Sequence, residues 1–310
     1  MKYVIGVDSG GTKCLVRAAD MNGKPLGCYE GGNCSHYGNG EEKAKQLIDE
    51  KITECLKQFD GERADCAAIV CGAAGYDSEE DGIIIHRMYE TLPGFDCPVF
   101  CFNDSELAHH MVTGGVGVLL IAGTGSIVFG RNKEGKEIRV GGWMKDIASD
   151  EGSGRYIDAW ALHHLSRYMD GVREKSPFLE DLMDAANAHS RKELMDLASD
   201  MGTPPWPSMK LGSVVSKHAD LGDPYACRIL EYAAEWNFKL VDEAIRALDM
   251  TKDEVIPVGI WGSTILKGKH QQDTFRSLLA KAYPNAEIRI AKTDAAQGAV
   301  DWALELVRKG

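Results

Sequence analysis

Asp8-Ser9-Gly10-Gly11-Thr12-Lys13 and Leu119-Leu120-Ile121-Ala122-Gly123-Thr124-Gly125-Ser126 are two Gly-Thr turns, each joining a pair of apolar strands. Closely spaced glycines free the backbone to take φ > 0 and to approach a ligand with no Cβ in the way. The exposed amides can then point at phosphate oxygens, and the threonine hydroxyl adds a donor. Asp8 at its strand end would repel bare phosphate, so its place there implies a Mg2+ or its water shell between the two. One such turn alone reads equally as an ordinary hairpin with a capping Asp. Two, each opening a similar run of elements, read as a pair that holds a polyphosphate from both sides.

Outward from these turns, alternation and β-branched runs predict strands near 2–8, 13–20 and 26–31, with Asn22-Gly23 as a hairpin turn. A helix follows over 41–59, then a strand at 66–72, a helix at 79–91, a strand at 97–101 and a helix opening near 104. The order then restarts, with strands at 116–122, 126–131 and 136–141 and a largely helical stretch over 150–248. Strand 255–261, helix 272–282, strand 286–290 and helix 294–308 complete it. The second half repeats the first with a helical insertion, which predicts two similar α/β units with a ligand crevice between them. Pro257-Val258-Gly259-Ile260-Trp261-Gly262-Ser263 is an apolar strand ending in small residues before a helix, where a flat ring such as adenine can lie against backbone. Taken alone, such a junction is common.

Composition narrows the field by exclusion. The 310 residues are 44% hydrophobic, enough for one large or two medium cores. A formal net charge of −12 argues against nucleic acid, whose phosphates need a clustered cationic face. No stretch approaches the ~18 apolar residues needed to cross a membrane. The opening Met1-Lys2-Tyr3-Val4-Ile5-Gly6-Val7-Asp8 is too short an apolar run for a signal peptide, so a cytoplasmic protein is expected. Nine cysteines, mostly within apolar patterns, read as reduced thiols. His109-His110 and His163-His164 lack partners at zinc spacing, and Trp160, Trp236 and Trp302 sit on helical patterns as core residues. Gly262 to Gly268-Lys269 is one residue too long for a P-loop, and no GxGxxG follows a strand.

Gly141-Gly142-Trp143 followed by Ser149-Asp150-Glu151-Gly152-Ser153 completes a set with the two Gly-Thr turns. Together these segments resemble the N-acetylglucosamine kinase branch of the BadF/BadG/BcrA/BcrD ATPase family, within the actin–hexokinase–Hsp70 superfamily. The resemblance spans nearly the whole chain. It implies a ribonuclease-H-like (actin-like ATPase) fold in each domain, with a nucleotide cleft between them. The domains are expected at 1–113 with 291–310, and at 114–290. It further implies ATP and Mg2+ as cofactors, a small-molecule sugar as partner, and a homodimer. ATP contacts fall on Gly10, Gly11, Thr12, Lys13, Gly123, Thr124, Gly125, Ser126, Gly262 and Ser263, with Asp8 toward the metal.

In such kinases an Asp at the start of the helix crossing between domains is the general base, and Asp104 holds that position. A carboxylate there suits phosphoryl transfer, which needs positioning, charge neutralisation and a proton acceptor. Asp104 also reads as the N-cap of its helix. Sugar contacts are implied at Asn33, Ser35, His36, Gly142, Trp143, Asp150 and Glu151, beside Asp104. The family usually has Asn where Ser35 stands. The segment from Trp143 to Asp150 is about one residue longer than usual, which makes Asp146 a rival acidic contact. N-acetylglucosamine leads as acceptor, with N-acetylmuramic acid, glucosamine and glucose as alternatives. A reductase activator would need paired Cys in a Gly-rich loop beside the crossing helix, and no Cys has that setting. A repressor would carry a helix-turn-helix ahead of the first strand, and the chain begins at the strand.

Overall fold

The computed structural model describes residues 1–143, 150–200 and 211–309. Its contacts divide the chain into two units, Met1–Gly115 with Ala291–Gly310, and Val116–Ile290. The first holds β1 (Tyr3–Ser9), β2 (Lys13–Asp20), β3 (Pro25–Gly32), α1 (His36–Asn39), α2 (Glu41–Leu56), β4 (Cys66–Ala73), α3 (Glu79–Glu90), β5 (Val99–Asn103) and α4 (Asp104–Thr113). The second holds β6 (Gly117–Ala122), β7 (Ser126–Arg131), β8 (Glu137–Gly141), helices α5 (Gly154–Met169), α6 (Pro177–Ala186), α7 (Arg191–Asp200), α8 (Leu211–Asp220) and α9 (Pro224–Ala247), then β9 (Ile256–Trp261), α10 (Ser263–Lys267), α11 (Lys269–Ala282) and β10 (Ala286–Ile290). Helix α12 (Ala295–Lys309) closes the first unit.

Each unit carries a five-stranded mixed sheet of one topology: β3-β2-β1-β4-β5 in the first and β8-β7-β6-β9-β10 in the second. The first three strands are antiparallel neighbours, and the last two add in parallel. The internal repeat read from the sequence is therefore a repeat of fold. Two short helices, α1 and α10, escape a periodicity reading because neither is long enough to show a stripe. Strand β5 starts two residues later than expected. Pro98 has no N–H to donate, and the ladder with β4 opens at Ile69↔Val99.

Side-chain alternation in β1 divides the first core. Tyr3, Ile5 and Val7 join Ile48 and Ile52 of α2 and Ile85, Met88 and Tyr89 of α3 on one face. Val4 joins Leu107 of α4 and Ala299, Val300 and Ala303 of α12 on the other. Gly6 lies on that second face, and the last helix sits directly on it. A Cβ at Gly6 would stand 2.4 Å from the Ala296 carbonyl oxygen and 2.5 Å from the Val300 nitrogen. In the second unit α9 joins two cores. Ala234, Val241, Ala244 and Ile245 cover the sheet beside Val118, Leu120 and Val258. Ile229, Leu230 and Ala233 close a helical core with Phe178, Leu179, Leu182 and Val215.

The nine cysteines are free thiols, with Cys28 the exposed one. Trp302 is buried against Phe102 and His110, stacked on each at 3.9 and 4.0 Å between ring centroids, whereas Trp160 and Trp236 are half-buried. No helix among the described residues is long and apolar enough to cross a membrane.

Because backbone, not a movable side chain, blocks a Cβ at Gly6, Gly6→Ala should destabilise the protein by about 3 kcal/mol. A Cβ at Gly11 meets nothing within 4 Å, so Gly11→Ala should leave stability nearly unchanged. Urea unfolding of both variants checks the contrast.

Candidate active site

Strands β1, β4 and β5 end in step, with Ser9 opposite Ala73 and Ala73 opposite Asn103. On the other flank β2 begins at Lys13, opposite the last residue of β3, Gly32. The turn 9–13, the loop after β3, the loop after β4 and the start of α4 therefore leave one edge of one sheet. Ligands of parallel α/β sheets bind at this carboxyl edge. The predicted residues of the first unit, Asp8, Gly10, Gly11, Thr12, Lys13, Asn33, Ser35, His36 and Asp104, all gather along it.

In the turn, Gly11, Thr12 and Lys13 are exposed. Neither Gly10 nor Gly11 has a positive φ, contrary to the sequence expectation. What their missing side chains provide is open space beside the backbone. Lys13 pairs through Nζ with Glu30 at 2.6 Å, both side chains more than half exposed. Asp8 is half-buried at the end of β1. Burial, reinforced by the facing charge of Asp104 and partly offset by Lys13, pushes its carboxyl up to about 6. Behind it, Arg17 of β2 grips Asp294 with Nε at 3.0 Å from Oδ1 and Nη2 at 2.6 Å from Oδ2. Asp294 Oδ1 also accepts from the Gln297 amide, so the ion pair fixes the start of α12.

Asp104 is the exposed first residue of α4 but not its N-cap, which corrects the sequence reading. Asn103 caps the helix, its side-chain oxygen accepting from the Ser105 amide at 2.9 Å while its Nδ2 donates to the Tyr76 carbonyl. The loop after β3 is built from its own polar side chains. Asn33 Oδ1 accepts from the Ser35 amide at 2.6 Å, and Ser35 Oγ caps α1 by accepting from the Tyr37 amide at 3.3 Å. Ser35 therefore earns its place locally, and Asn33 keeps its amide nitrogen as a donor. His36 opens α1 with Nε2 3.3 Å from the Asp81 carboxylate.

The second unit repeats the arrangement. Strands β6, β8 and β9 end near Ala122, Gly141 and Trp261, and β7 starts at Ser126. The turn between β6 and β7 is braced from two sides. Asp150 Oδ1 accepts from the Ser126 amide at 3.2 Å, and a Cβ at Gly125 would stand 2.6 Å from that oxygen. Gly125 is thus required by a packed carboxylate and not by φ, since neither it nor Gly123 is in the left-handed region. Ser126 is buried, its hydroxyl donating to the Glu151 carbonyl at 2.7 Å. The amides of Gly154 and Arg155, opening α5, donate to the carbonyls of Gly123 and exposed Thr124 at 2.8 and 3.2 Å. From the other side Thr264 Oγ1 donates to the Gly123 carbonyl at 2.8 Å. Gly262, at φ 101°, crosses so close that a Cβ would lie 2.5 Å from the Ala122 carbonyl oxygen. Ser263 beside it is exposed.

Asp150 also pairs with Arg155 at 3.1 Å. Beneath Gly152 (φ 79°) lies a buried amide pair, with Gln271 Nε2 donating to the Gly152 carbonyl at 2.9 Å and to Asn237 Oδ1 at 2.7 Å. Gly142 (φ 71°) and Trp143, 71% exposed, leave the end of β8. Asp146, the rival acidic contact, and Ser149 lie outside the described residues.

Thr264, Asn237 and Gln271 were missed from sequence. Thr264 stands next to the predicted Gly262-Ser263, and Asn237 is a lone polar residue on the apolar stripe Ala233-Ala234-Leu240-Val241 of α9. That interruption is the signal that marks it.

Two units of this topology, each opening with a Gly-rich hairpin, define an actin-like α/β ATPase architecture. The chain belongs to the BadF/BadG/BcrA/BcrD ATPase family, whose model matches residues 5–303. It is 34% identical over 304 residues to an N-acetylmuramic acid/N-acetylglucosamine kinase of Clostridium acetobutylicum, with 97% of each chain covered. It is 30% identical over 310 residues to an N-acetyl-D-glucosamine kinase of Dictyostelium discoideum, again with 97% of each covered. A solved structure from Chromobacterium violaceum, provisionally assigned as an N-acetylglucosamine kinase, superposes with a TM-score of 0.75 at 25% identity, covering 98% of this chain and 99% of that one.

The raised Asp8 carboxyl has a cost to folding with a definite sign. The folded chain takes up this proton near pH 6, whereas the unfolded chain does so near the ordinary 3.8. Stability on this account falls as pH rises from about 4 to 6, by about 3 kcal/mol in all. Asp8→Asn should therefore unfold at a higher temperature than the parent at pH 7.5 and converge with it near pH 4. Thermal melts at the two pH values check this.

Proposed function

We propose that this protein is an ATP-dependent amino-sugar kinase that transfers the γ-phosphoryl group of ATP to the 6-hydroxyl of N-acetylglucosamine. The observation that carries the reading is the pair of carboxylates Asp8 and Asp104 at the carboxyl edge of the first sheet, beside an open Gly-Gly-Thr turn. The names of the two curated relatives, each aligned over nearly its full length, support the substrate class.

In this reading Asp104 accepts the proton of the acceptor hydroxyl as that oxygen bonds to phosphorus. An exposed carboxylate at a helix start suits a proton acceptor. The polyphosphate is assigned to the backbone of Gly10, Gly11, Thr12 and Lys13 and to the turn Gly123, Thr124, Gly125 and Ser126, and the adenine end to Gly262 and Ser263. Buried Ser126 acts there through its backbone, since its hydroxyl is held by Glu151. Asn33, Ser35, His36, Gly142, Trp143, Asp150 and Glu151 are assigned to the sugar. Asp150, bound on one oxygen by an amide and on the other by Arg155, has its orientation fixed in advance, and each oxygen retains a lone pair for a sugar hydroxyl.

Asp8 fits a Mg2+ ion held directly or through water, because its oxygen donors suit a hard cation and the facing Asp104 leaves the pair in need of positive charge. Mg2+, when bound, neutralises charge on the phosphate oxygens. N-acetylmuramic acid is the second acceptor, favoured by the name of the Clostridium relative. A cytoplasmic homodimer belongs to the same reading on family resemblance, and light scattering in solution checks the dimer.

The kinase reading is tested by coupled ADP release with Mg-ATP against N-acetylglucosamine, N-acetylmuramic acid, glucosamine and glucose. Turnover should be highest on an N-acetylated sugar, and Asp104→Asn should lower kcat about 10³-fold. ATP hydrolysis that needs no sugar and survives Asp104→Asn would overturn the reading.

A further inference from the structure

Helix α1 has four residues and buries none of them, far too little to hold its own shape. A single carboxylate from another element holds it. Asp81, the third residue of α3, is 6% exposed. Its Oδ1 accepts from the Tyr37 hydroxyl at 2.7 Å and lies 3.3 Å from His36 Nε2, while Oδ2 accepts from the Ser78 hydroxyl at 2.6 Å. Ser78 in turn caps α3 by accepting from the Asp81 amide at 3.1 Å. The loop after β4 presses on the same group, because Gly75, at φ 88°, would bring a Cβ within 2.9 Å of the Tyr37 ring. The loop after β3 and the loop after β4 are thereby locked together at the sheet edge that carries Asp8 and Asp104.

The carboxylate also decides a proton position. Hydrogen bonds from Ser78 and Tyr37, with His36 adding to them, hold the Asp81 carboxyl down at about 2. An ionised carboxylate only accepts, so with a single proton on the His36 ring that proton sits on Nε2, facing Asp81, and Nδ1 is the acceptor. The His36 side chain is 9% exposed, and no other hydrogen-bonding partner of its ring is seen among the described residues.

We propose that Asp81 is a positioning residue for the acceptor sugar, fixing the α1 turn and the Nε2-protonated form of His36 so that Nδ1 receives a hydrogen bond from a sugar hydroxyl. This rests on the amino-sugar kinase reading, and Asp81 itself touches neither substrate. Sugar affinity is therefore coupled to a residue outside the loop that binds the sugar.

The test combines steady-state kinetics of Asp81→Ala, His36→Ala and the double variant with 15N spectra of the histidine rings in the wild-type protein. Asp81→Ala should raise KM for the sugar about 10-fold, the worth of one hydrogen bond to an uncharged hydroxyl, and leave KM for ATP within about twofold. In the His36→Ala background the same substitution should add almost nothing, since the two act through one contact. The wild-type spectrum should show His36 protonated at Nε2 and bare at Nδ1, a readout that needs no folded variant. Additive losses, an unchanged sugar KM in an active Asp81→Ala enzyme, or a His36 protonated at Nδ1 would each overturn the proposal alone. Absence of amino-sugar turnover in the wild-type protein would overturn the kinase reading and this proposal together.

Discussion

Ser9, Ala73 and Asn103 stand side by side where three parallel strands end, and the chain leaves the sheet at each of them. This shared ending depends on register, and register depends on burial of both faces of β1. Tyr3, Ile5 and Val7 fill the core under α2 and α3, whereas Val4 and Gly6 face α4 and α12. A slip of one residue would drive Ile5 or Val7 into the place that only Gly6 can occupy against the backbone of α12. Packing far from the edge thus fixes which residues reach it. Asp8 arrives at the end of β1 and Asp104 at the start of α4 because the hydrophobic pattern permits no other alignment.

The edge so formed is held against its own electrostatic preference. Asp8 is half-buried and faces another carboxylate, an arrangement that opposes ionisation. The second unit solves the complementary problem of keeping an exposed turn rigid. Asp150 and Thr264 engage the backbone of the turn, Ser126 ties it to the Glu151 carbonyl, and Gly154 closes it with a further amide. Amides facing a ligand are useful only when held in place beforehand, because a flexible turn would lose in ordering what it gained in contact. The glycines at 125 and 262 are sites where neighbouring atoms come too close for any Cβ.

Much of this was legible in the chain itself. Alternation in β1, the Asn22-Gly23 hairpin and the recurrence of a Gly-Thr turn at the head of each half define the element order and the repeated fold, because strand periodicity and turn chemistry are local properties. Asp8 and Gly262 are marked by where they sit at strand ends, whereas Asp104 and Asp150 come from the family resemblance. Less was legible wherever one element answers another. That Asn103 and not Asp104 caps α4 turns on which side chain reaches the Ser105 amide. That Gly125 yields to a carboxylate, and Gly152 to Asn237 and the Ala233 carbonyl, depends on contacts between residues distant in sequence. Asp81 is one of three acids in the first turn of α3, beside Glu79 and Glu80. Its role with His36 and Tyr37 appears only when two loops are brought to the same edge. Sequence by itself determined the repeated α/β order and the two Gly-Thr turns, since both are written in nearest-neighbour chemistry. Tertiary structure alone decided which carboxylates are buried, which are capped and which histidine nitrogen is left to accept, because those are fixed by burial and by partners the linear chain does not place beside them.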